Sequence, residues 1–246
     1  MRGRWITLSP GRRLVGDLMR FSRKIPRITV QRRLNLGPVV QARQALDPRP
    51  SWTAIFMKGY ALLAKETPEL RRAYVTLPWP HLYEYPSSIA SLAYEREVDG
   101  ERVVLLDRVK KPETTPLDAL VKKIRASQSR PVMEVGEFRR ALRMARLPSP
   151  LRRFLMWLGL NIGRQRARYF GTFQLSVYSG LGAESLNPLT PLTTLLNYGP
   201  IDEHGNVDVR VHYDHRVMDG ASVARALERL EAIMNDAIAE ELRSRP

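Results

Sequence analysis

The sequence predicts a single α+β domain, and three observations carry that prediction. Segments with helical and with strand periodicity alternate in mixed order along 246 residues, no Pro/Ser/Gly-rich linker divides them, and no internal repeat is present. A chain of this length buries roughly 70–75% of the surface its unfolded form exposes, so an apolar core suffices without cross-links. The chain has no cysteine, which excludes a disulfide framework, thiol catalysis and cysteine-ligated zinc. No run of about 18 apolar residues is present, so no transmembrane helix is expected. Met1-Arg2-Gly3-Arg4-Trp5-Ile6-Thr7-Leu8 is basic but lacks the apolar core of a secretory signal. The expected location is cytoplasmic.

The elements follow in order. Residues 11–24 carry a helical pattern ended by Pro26, and residues 27–35 alternate as a strand. Residues 51–66 read as an apolar helix with Ile55, Tyr60 and Leu63 inward, and Pro68 opens a short helical turn to about residue 74. The Pro- and aromatic-rich stretch 74–88 reads as loop and edge structure. Two strands, 89–97 and 102–107, turn at Asp99-Gly100. An amphipathic helix over 115–127 follows Thr114-Thr115-Pro116. Residues 134–170 are helical and basic, broken at Pro148 and Pro150. Residues 172–178, 192–198 and 207–213 are strands, the last after a Glu203-His204-Gly205-Asn206 turn. A helix from about 220 to 243 closes the chain, with Val223, Leu227, Leu230, Met234 and Ile238 on one face.

The net charge of +15 is local. Residues 1–33 hold ten Lys/Arg against Asp17, residues 138–168 hold nine arginines and no acid, and the remaining residues sum to −3. Such a surface is either a solvated face or a polyanion attractor: nucleotide phosphates, nucleic acid or an anionic membrane. Within 148–170, Leu151, Phe154, Leu155, Leu158 and Ile162 follow helical spacing, Met156, Trp157 and Leu160 widen the apolar face, and Arg152, Arg153, Arg164, Arg166 and Arg168 flank it. At about 18 Å the 151–162 stretch is too short to span a bilayer. It either packs on the protein's own sheet or lies on an anionic membrane surface. Gly180-Leu181-Gly182 is a short turn, no Gly-rich phosphate loop is present, and nucleic acid is not the favoured partner. No His/Asp/Glu cluster has metal-ligand spacing, so no metal site is expected. Trp5, Trp52, Trp79 and Trp157 are expected in core or interface.

Four histidines are present, His81, His204, His212 and His215. His81 and His204 are expected in exposed loops and His212 as a packed or surface residue. His215 ends a strand, and Asp219-Gly220 starts the closing helix four residues on. A strand end presents the imidazole to a cleft, the carboxylate suits the helix dipole, and Gly220 leaves room for close backbone approach. Imidazole is the natural base for a thiol or alcohol near neutral pH.

The stretch Tyr213-Asp214-His215-Arg216-Val217-Met218-Asp219-Gly220-Ala221 resembles the active-site signature of 2-oxo acid dehydrogenase acyltransferases, the catalytic domains of dihydrolipoamide acyltransferases, related in fold to chloramphenicol acetyltransferase. Gly171-Thr172-Phe173-Gln174-Leu175-Ser176 resembles that family's Gly-Thr-Phe-x-x-Ser strand, and Arg12-Arg13-Leu14-Val15-Gly16-Asp17-Leu18-Met19 its first helix. Residues 25–30 resemble the strand entry that follows, so the similarity spans about 11–240. It implies a chloramphenicol acetyltransferase-like two-layer sandwich, a mixed sheet with helices packed on it. It implies His215 as general base, Ser176 as hydrogen-bond donor to a tetrahedral oxyanion, and Asp219 as a structural carboxylate with Arg12 as its ion-pair partner. Asp214 also matches and is expected in an exposed turn. Coenzyme A or acyl-CoA is the implied substrate, with a thiol or other nucleophilic acceptor, and the site is expected between subunits of a homotrimer or a multiple of one.

Two departures shape the expectation. Only residues 1–10 precede the resemblance, so the catalytic domain is expected over 11–246 with no lipoyl or subunit-binding domain and no lipoyl group of its own. A lipoyl acceptor would arrive on another chain. Residues 131–170 form a basic helical insertion, longer than the family pattern. The competing function class is a non-catalytic scaffold, or a basic membrane- or nucleic-acid-binding protein, that kept the acyltransferase fold.

Overall fold

The computed structural model describes residues 3–177, 180 and 182–245. Helix α1 (Pro10–Ser22) begins where Ser9 Oγ accepts from the Arg12 amide and Pro10 occupies the first turn. Strand β1 (Arg27–Asn35) follows as expected. Helix α2 (Gly37–Gln44) was not legible in the sequence: it has eight residues, opens on Gly-Pro and lacks a side-chain cap, yet buries Val39, Val40 and Ala42. Helix α3 (Trp52–Glu66), capped by Ser51, is buried along most of its length. A 3-10 turn (Pro68–Arg71) leads into β2 (Arg72–Val75), which pairs with β3 (His81–Glu84). The segment expected as loop and edge therefore holds a small separate hairpin, with His81 opening its second strand.

Strands β4 (Ile89–Val98) and β5 (Glu101–Lys110) form a long hairpin. Asp99 and Gly100 both have positive φ, 52° and 77°, as a two-residue turn between right-twisted strands requires. Helix α4 (Leu117–Ser129) follows, then α5 (Gly136–Ala145), α6 (Ser149–Asn161) and α7 (Gly163–Tyr169). Pro150 does not break this stretch. It sits in the first turn of α6, where its missing N–H costs nothing. Strand β6 spans only Phe173–Leu175, shorter than expected. Tyr178 at the end of the expected strand, and Leu181 in the expected Gly-Leu-Gly turn, lie outside the described residues. Strands β7 (Thr194–Tyr198) and β8 (Asn206–Asp214) precede α8 (Gly220–Ile233), which runs on through a π turn (Met234–Ile238) into α9 (Ala239–Arg243).

Six strands form one mixed sheet in the order β1-β8-β7-β6-β4-β5, with β4, β6 and β7 parallel and the other pairings antiparallel. On one face lies the main core, where Tyr60 of α3 meets Phe173 and Phe56 stacks on Tyr198. The opposite face is polar along β1, β8 and β7, carrying Thr29, Arg210, His212 and Asn197 under the segment 182–193. At its β5 end the same face is covered by α1, α6 and α7. Helix α5 runs along the edge of β5, so that Phe138 meets Tyr94 on one side and Glu137 pairs with Arg108 on the other.

Three tryptophans depart from expectation, Trp157 of α6 among them at 37% exposed. Trp5 is fully exposed and Trp79 is 65% exposed, whereas Trp52 packs against the core beside Phe56. The arginine run also differs from a wet basic face. Arg152 is buried against Asp17 and donates to the carbonyls of Ala145 and Leu147, tying α1, α5 and α6 together. Arg166 is buried too, and Arg153 and Arg140 are tied to Asp17 and Glu137.

Burial alone would raise the Asp17 pKa, but the hydrogen bonds from Arg153 and Arg152 outweigh it and hold this carboxyl below its usual value. Removing one partner of a buried pair leaves an uncompensated charge. Asp17→Ala is therefore expected to lose about 3–5 kcal/mol of unfolding free energy in urea titration. Arg153→Gln, at the half-exposed partner, should lose about 1 kcal/mol or less. Equal losses would contradict this account.

Candidate active site

The candidate site is built at the end of β8. Asp214 closes the strand with its amide on the Thr193 carbonyl at 2.9 Å, and its carboxylate is fully buried. That carboxylate accepts from Arg216 Nε at 2.9 Å, Arg216 Nη2 at 2.7 Å and the Arg216 amide at 3.1 Å. Its carbonyl accepts from the Val217 amide at 3.0 Å. The expectation of an exposed Asp214 is thus overturned: it is the internal anchor of the turn. Arg27 at the start of β1 faces it as well. Burial pushes the Arg27 pKa down to about 10, with Asp214 opposing that shift. The Arg27 guanidinium also donates to the carbonyls of Pro188 and Thr190.

His215 stands on this turn. Its amide donates to the Pro26 carbonyl at 3.0 Å, so the start of β1 fixes its backbone. Its side chain is 41% exposed, and Nδ1 lies 3.5 Å from Asp219 Oδ1. The buried Tyr213 ring lies edge-on beneath it at 5.8 Å. A Cβ on Gly220 would come within 3.2 Å of Tyr213 Oη, so the atom for which Gly220 makes room is the phenol oxygen. Burial, and then the Asp219 charge, raise the Tyr213 pKa.

Asp219 is the N-terminal cap residue of α8, with extended backbone angles, but its side chain makes no cap bond and is 83% exposed. The expected Asp219–Arg12 pair is absent in this chain. Arg12 pairs with Glu101 at 3.3 Å, beside the edge strand β5, whereas Asp219 follows β8. Four strand spacings, roughly 19 Å, separate β8 from β5. The physical reason is the Asp17–Arg152 pair, which holds α1 at the β5 side of the sheet.

Ser176 follows β6 and is buried. Its amide donates to the Leu196 carbonyl at 3.2 Å and its carbonyl accepts from Asn197 Nδ2 at 3.0 Å. The strand register sets its distance from His215. Tyr213 pairs with Thr194, and Thr194 with Phe173. Ser176 is therefore displaced from His215 by about five residues, roughly 17 Å, along the strands, and by two strand spacings, roughly 10 Å, across them. One chain does not bring the two side chains together.

Three residues carry the site without having been singled out for it. Arg216 chelates Asp214 and lies over the Tyr74 ring at 4.4 Å. Arg27 faces Asp214 from β1. Arg166 of α7 donates to the Pro191 carbonyl at 2.7 Å and the Tyr74 carbonyl at 3.1 Å, and its charge faces Asp214 and Arg216. Arg166 had been grouped with a surface basic run, and only the buried carbonyls around it reveal its place. His212, on the face opposite Tyr213, is buried with Nδ1 2.7 Å from Thr29 Oγ1, and Nε2 has no partner among the described residues. Burial, then Arg27 and Arg210, push its pKa down to about 4.

No family model and no curated protein matches this sequence. Solved structures do match. The dihydrolipoamide acetyltransferase of Azotobacter vinelandii aligns at 16% identity over 97% of this chain and 93% of that one, with a TM-score of 0.71. In that protein a serine, a histidine and an asparagine four residues after the histidine have been investigated for their roles in the catalytic mechanism. A probable dihydrolipoamide acetyltransferase from Listeria monocytogenes 4b F2365 aligns at 16% identity over 94% of both chains, with a TM-score of 0.69. Chloramphenicol acetyltransferase aligns at 15% identity over 90% of this chain and 94% of that one, with a TM-score of 0.55. The chain therefore has the chloramphenicol acetyltransferase-like α+β fold that the sequence resemblance implied.

The neutral His212 makes stability depend on pH. Its folded pKa lies below the unfolded value, so its stabilising contribution is complete above about pH 6.5 and is lost as pH falls toward about 4. Across that window wild-type protein should lose up to about 3 kcal/mol through this group. His212→Gln keeps a partner for Thr29 but cannot titrate. Its unfolding free energy in urea is expected to fall less between neutral pH and the acid end of the window, by about 2–3 kcal/mol. Parallel curves would refute the assignment.

Proposed function

We propose that the protein is an acyltransferase that moves an acyl group between coenzyme A and a thiol or other nucleophilic acceptor, at sites shared between neighbouring copies of the chain. The observation that carries this reading is His215, half-exposed on a rigid turn with Asp219 3.5 Å from its Nδ1, in a fold shared with known acyltransferases. His215 takes the proton from the acceptor thiol as the thiolate attacks the thioester carbonyl. Ser176 Oγ donates to the tetrahedral oxyanion, a contribution of about 2.7–4 kcal/mol for a well-placed donor. Collapse expels the CoA thiolate, and the proton on His215 returns to it. Asp219, 3.5 Å from Nδ1, orients the imidazole for both transfers. No covalent enzyme intermediate is needed.

The strand register supports sharing, because His215 of one copy needs an oxyanion donor that its own Ser176 is too distant to supply. A homotrimer, as the sequence resemblance implies, closes such contacts by rotation. A dihydrolipoyl group, carried on a lipoyl domain, is one acceptor with the required thiol. The expected compartment is the cytoplasm.

His215→Ala should lose at least about 100-fold in the rate of CoA release from a panel of acyl-CoAs with free dihydrolipoamide. Ser176→Ala should lower kcat with little change in KM for the acyl-CoA. Mixing the two inactive variants through unfolding and reassembly should restore activity to about a quarter of wild type if copies exchange at random in a trimer. No recovery would place both residues in one chain's site and defeat the shared arrangement, while wild-type turnover by His215→Ala would defeat the mechanism.

A second reading concerns α6. Leu151, Phe154, Leu155 and Trp157 are 37–54% exposed, and Arg164 and Arg168 are exposed nearby. This apolar flank with free cations suits an anionic membrane surface, where each nearby Arg contributes about 1 kcal/mol. Co-sedimentation with anionic but not neutral vesicles is expected, and should be lost in Arg164→Gln/Arg168→Gln. Absence of sedimentation at low salt would exclude the contact.

A further inference from the structure

A cavity of about 450 Å³ lies between α1, α5, α6, α7 and the outward face of β5. Its volume is in the range of small-molecule sites, roughly 300–1,000 Å³. Neither His215, Asp219 nor Ser176 lines it, so it is separate from the candidate active site. Its wall is aliphatic over most of its extent, with Leu14 and Leu18 from α1, Leu106 from β5, and Met144, Met156 and Ile162 from α5 to α7. Unbranched methionines and leucines adapt to a flexible chain, whereas an aromatic slot would select a planar ligand. Val104, Leu106 and Arg108 contribute alternate positions of one strand, so the cavity extends roughly 13 Å along β5.

Two further observations bear on the occupant. Lining residues that are also exposed, Val104, Arg140, Leu155 and Tyr169, mark the mouth. Arg140 at the mouth and Arg108 on β5 outnumber Glu137, the one carboxylate lining the cavity among the described residues, a positive balance that favours an anionic group. Gln165 lines the same cavity, and its buried Oε1 has no donor among the described residues. A terminal amide can turn either its acceptor or its donor toward a ligand. Left without one, this polar atom is costly.

We propose that this cavity binds a single aliphatic chain carrying an anionic head group, such as a fatty acid, with the chain against Leu106 and Met156 and the head at Arg140. Binding is non-covalent and independent of the acyl-transfer reading, so either can fail without the other.

The test uses the purified full chain and displacement of cis-parinaric acid, a fluorescent fatty acid. Dodecanoate is expected to displace the probe with one-to-one stoichiometry. At low salt dodecanol should bind about tenfold more weakly, and high salt should narrow that gap. Arg140→Gln, an exposed position, should weaken dodecanoate several-fold and leave dodecanol unchanged. Ala141→Phe fills the cavity from α5 and should abolish displacement. If it does not fold, Met144→Trp on the half-exposed wall serves the same purpose. Anionic phospholipid vesicles test the other source of such a chain: probe displacement by vesicles, lost in the cavity-filling variant, would still support the site and identify a membrane lipid as its ligand. Failure of dodecanoate and vesicles alike to displace the probe would overturn the proposal. So would displacement that persists in a folded cavity-filling variant, or vesicle sedimentation without probe displacement, which would leave only a surface contact.

Discussion

The buried carboxylate of Asp214 is the point on which the β8 end of the sheet depends. It is fully enclosed, and three guanidinium groups are arranged around it, two from distant parts of the chain, Arg27 of β1 and Arg166 of α7, and one, Arg216, from its own turn. A lone carboxylate could not be desolvated there, and the three cations could not converge without it. Their surplus charge is spread over the carbonyls of Tyr74, Pro188, Thr190 and Pro191. The outcome is a rigid turn that leaves one side chain, His215, half in solvent.

The same economy of charge explains α1 and the arginine-rich helices. The formal charge of +15 suggests a uniformly basic surface. Several of those arginines instead act as internal struts, Arg152 on Asp17 and Arg166 among carbonyls, while others remain free on α5 and α7. Arg140 stands at the mouth of the aliphatic cavity, and Arg164 and Arg168 lie near the exposed flank of α6. Positive potential and apolar surface thus coincide at one end of the molecule, away from the end of β8.

Much of the architecture was legible in the sequence because it rests on local rules. Strand β1 alternates through Ile28, Val30 and Leu34 with one break at Arg32, Asp99-Gly100 dictates a tight hairpin, and Ser51 caps α3. The His215 turn was legible for the same reason, since its residues are contiguous. What sequence could not show was pairing across long separations. Arg12 was assigned to Asp219, and only the docking of α1 through Asp17 reveals that it meets Glu101 instead. Asp214 read as a turn residue because two of its three cationic partners, Arg27 and Arg166, come from distant regions of the chain. Helix α2 escaped because eight residues without a capping side chain leave little periodic signal.

The sheet also has a schedule. Among the described residues strand β1 pairs only with β8, and roughly 170 residues separate Asn35 from Asn206. At about 5–20 residues per second a ribosome takes on the order of 10–30 s to make that interval. Throughout it, β1 waits without its only strand neighbour, a template for unwanted association. Its composition answers that hazard. Arg32 and Arg33 place charge on the strand, and in the finished sheet it remains an edge still guarded by them. Part of the basic character of the first thirty-odd residues is then a safeguard for the nascent chain, and neutralising those arginines would cost soluble yield before it cost any property of the folded protein.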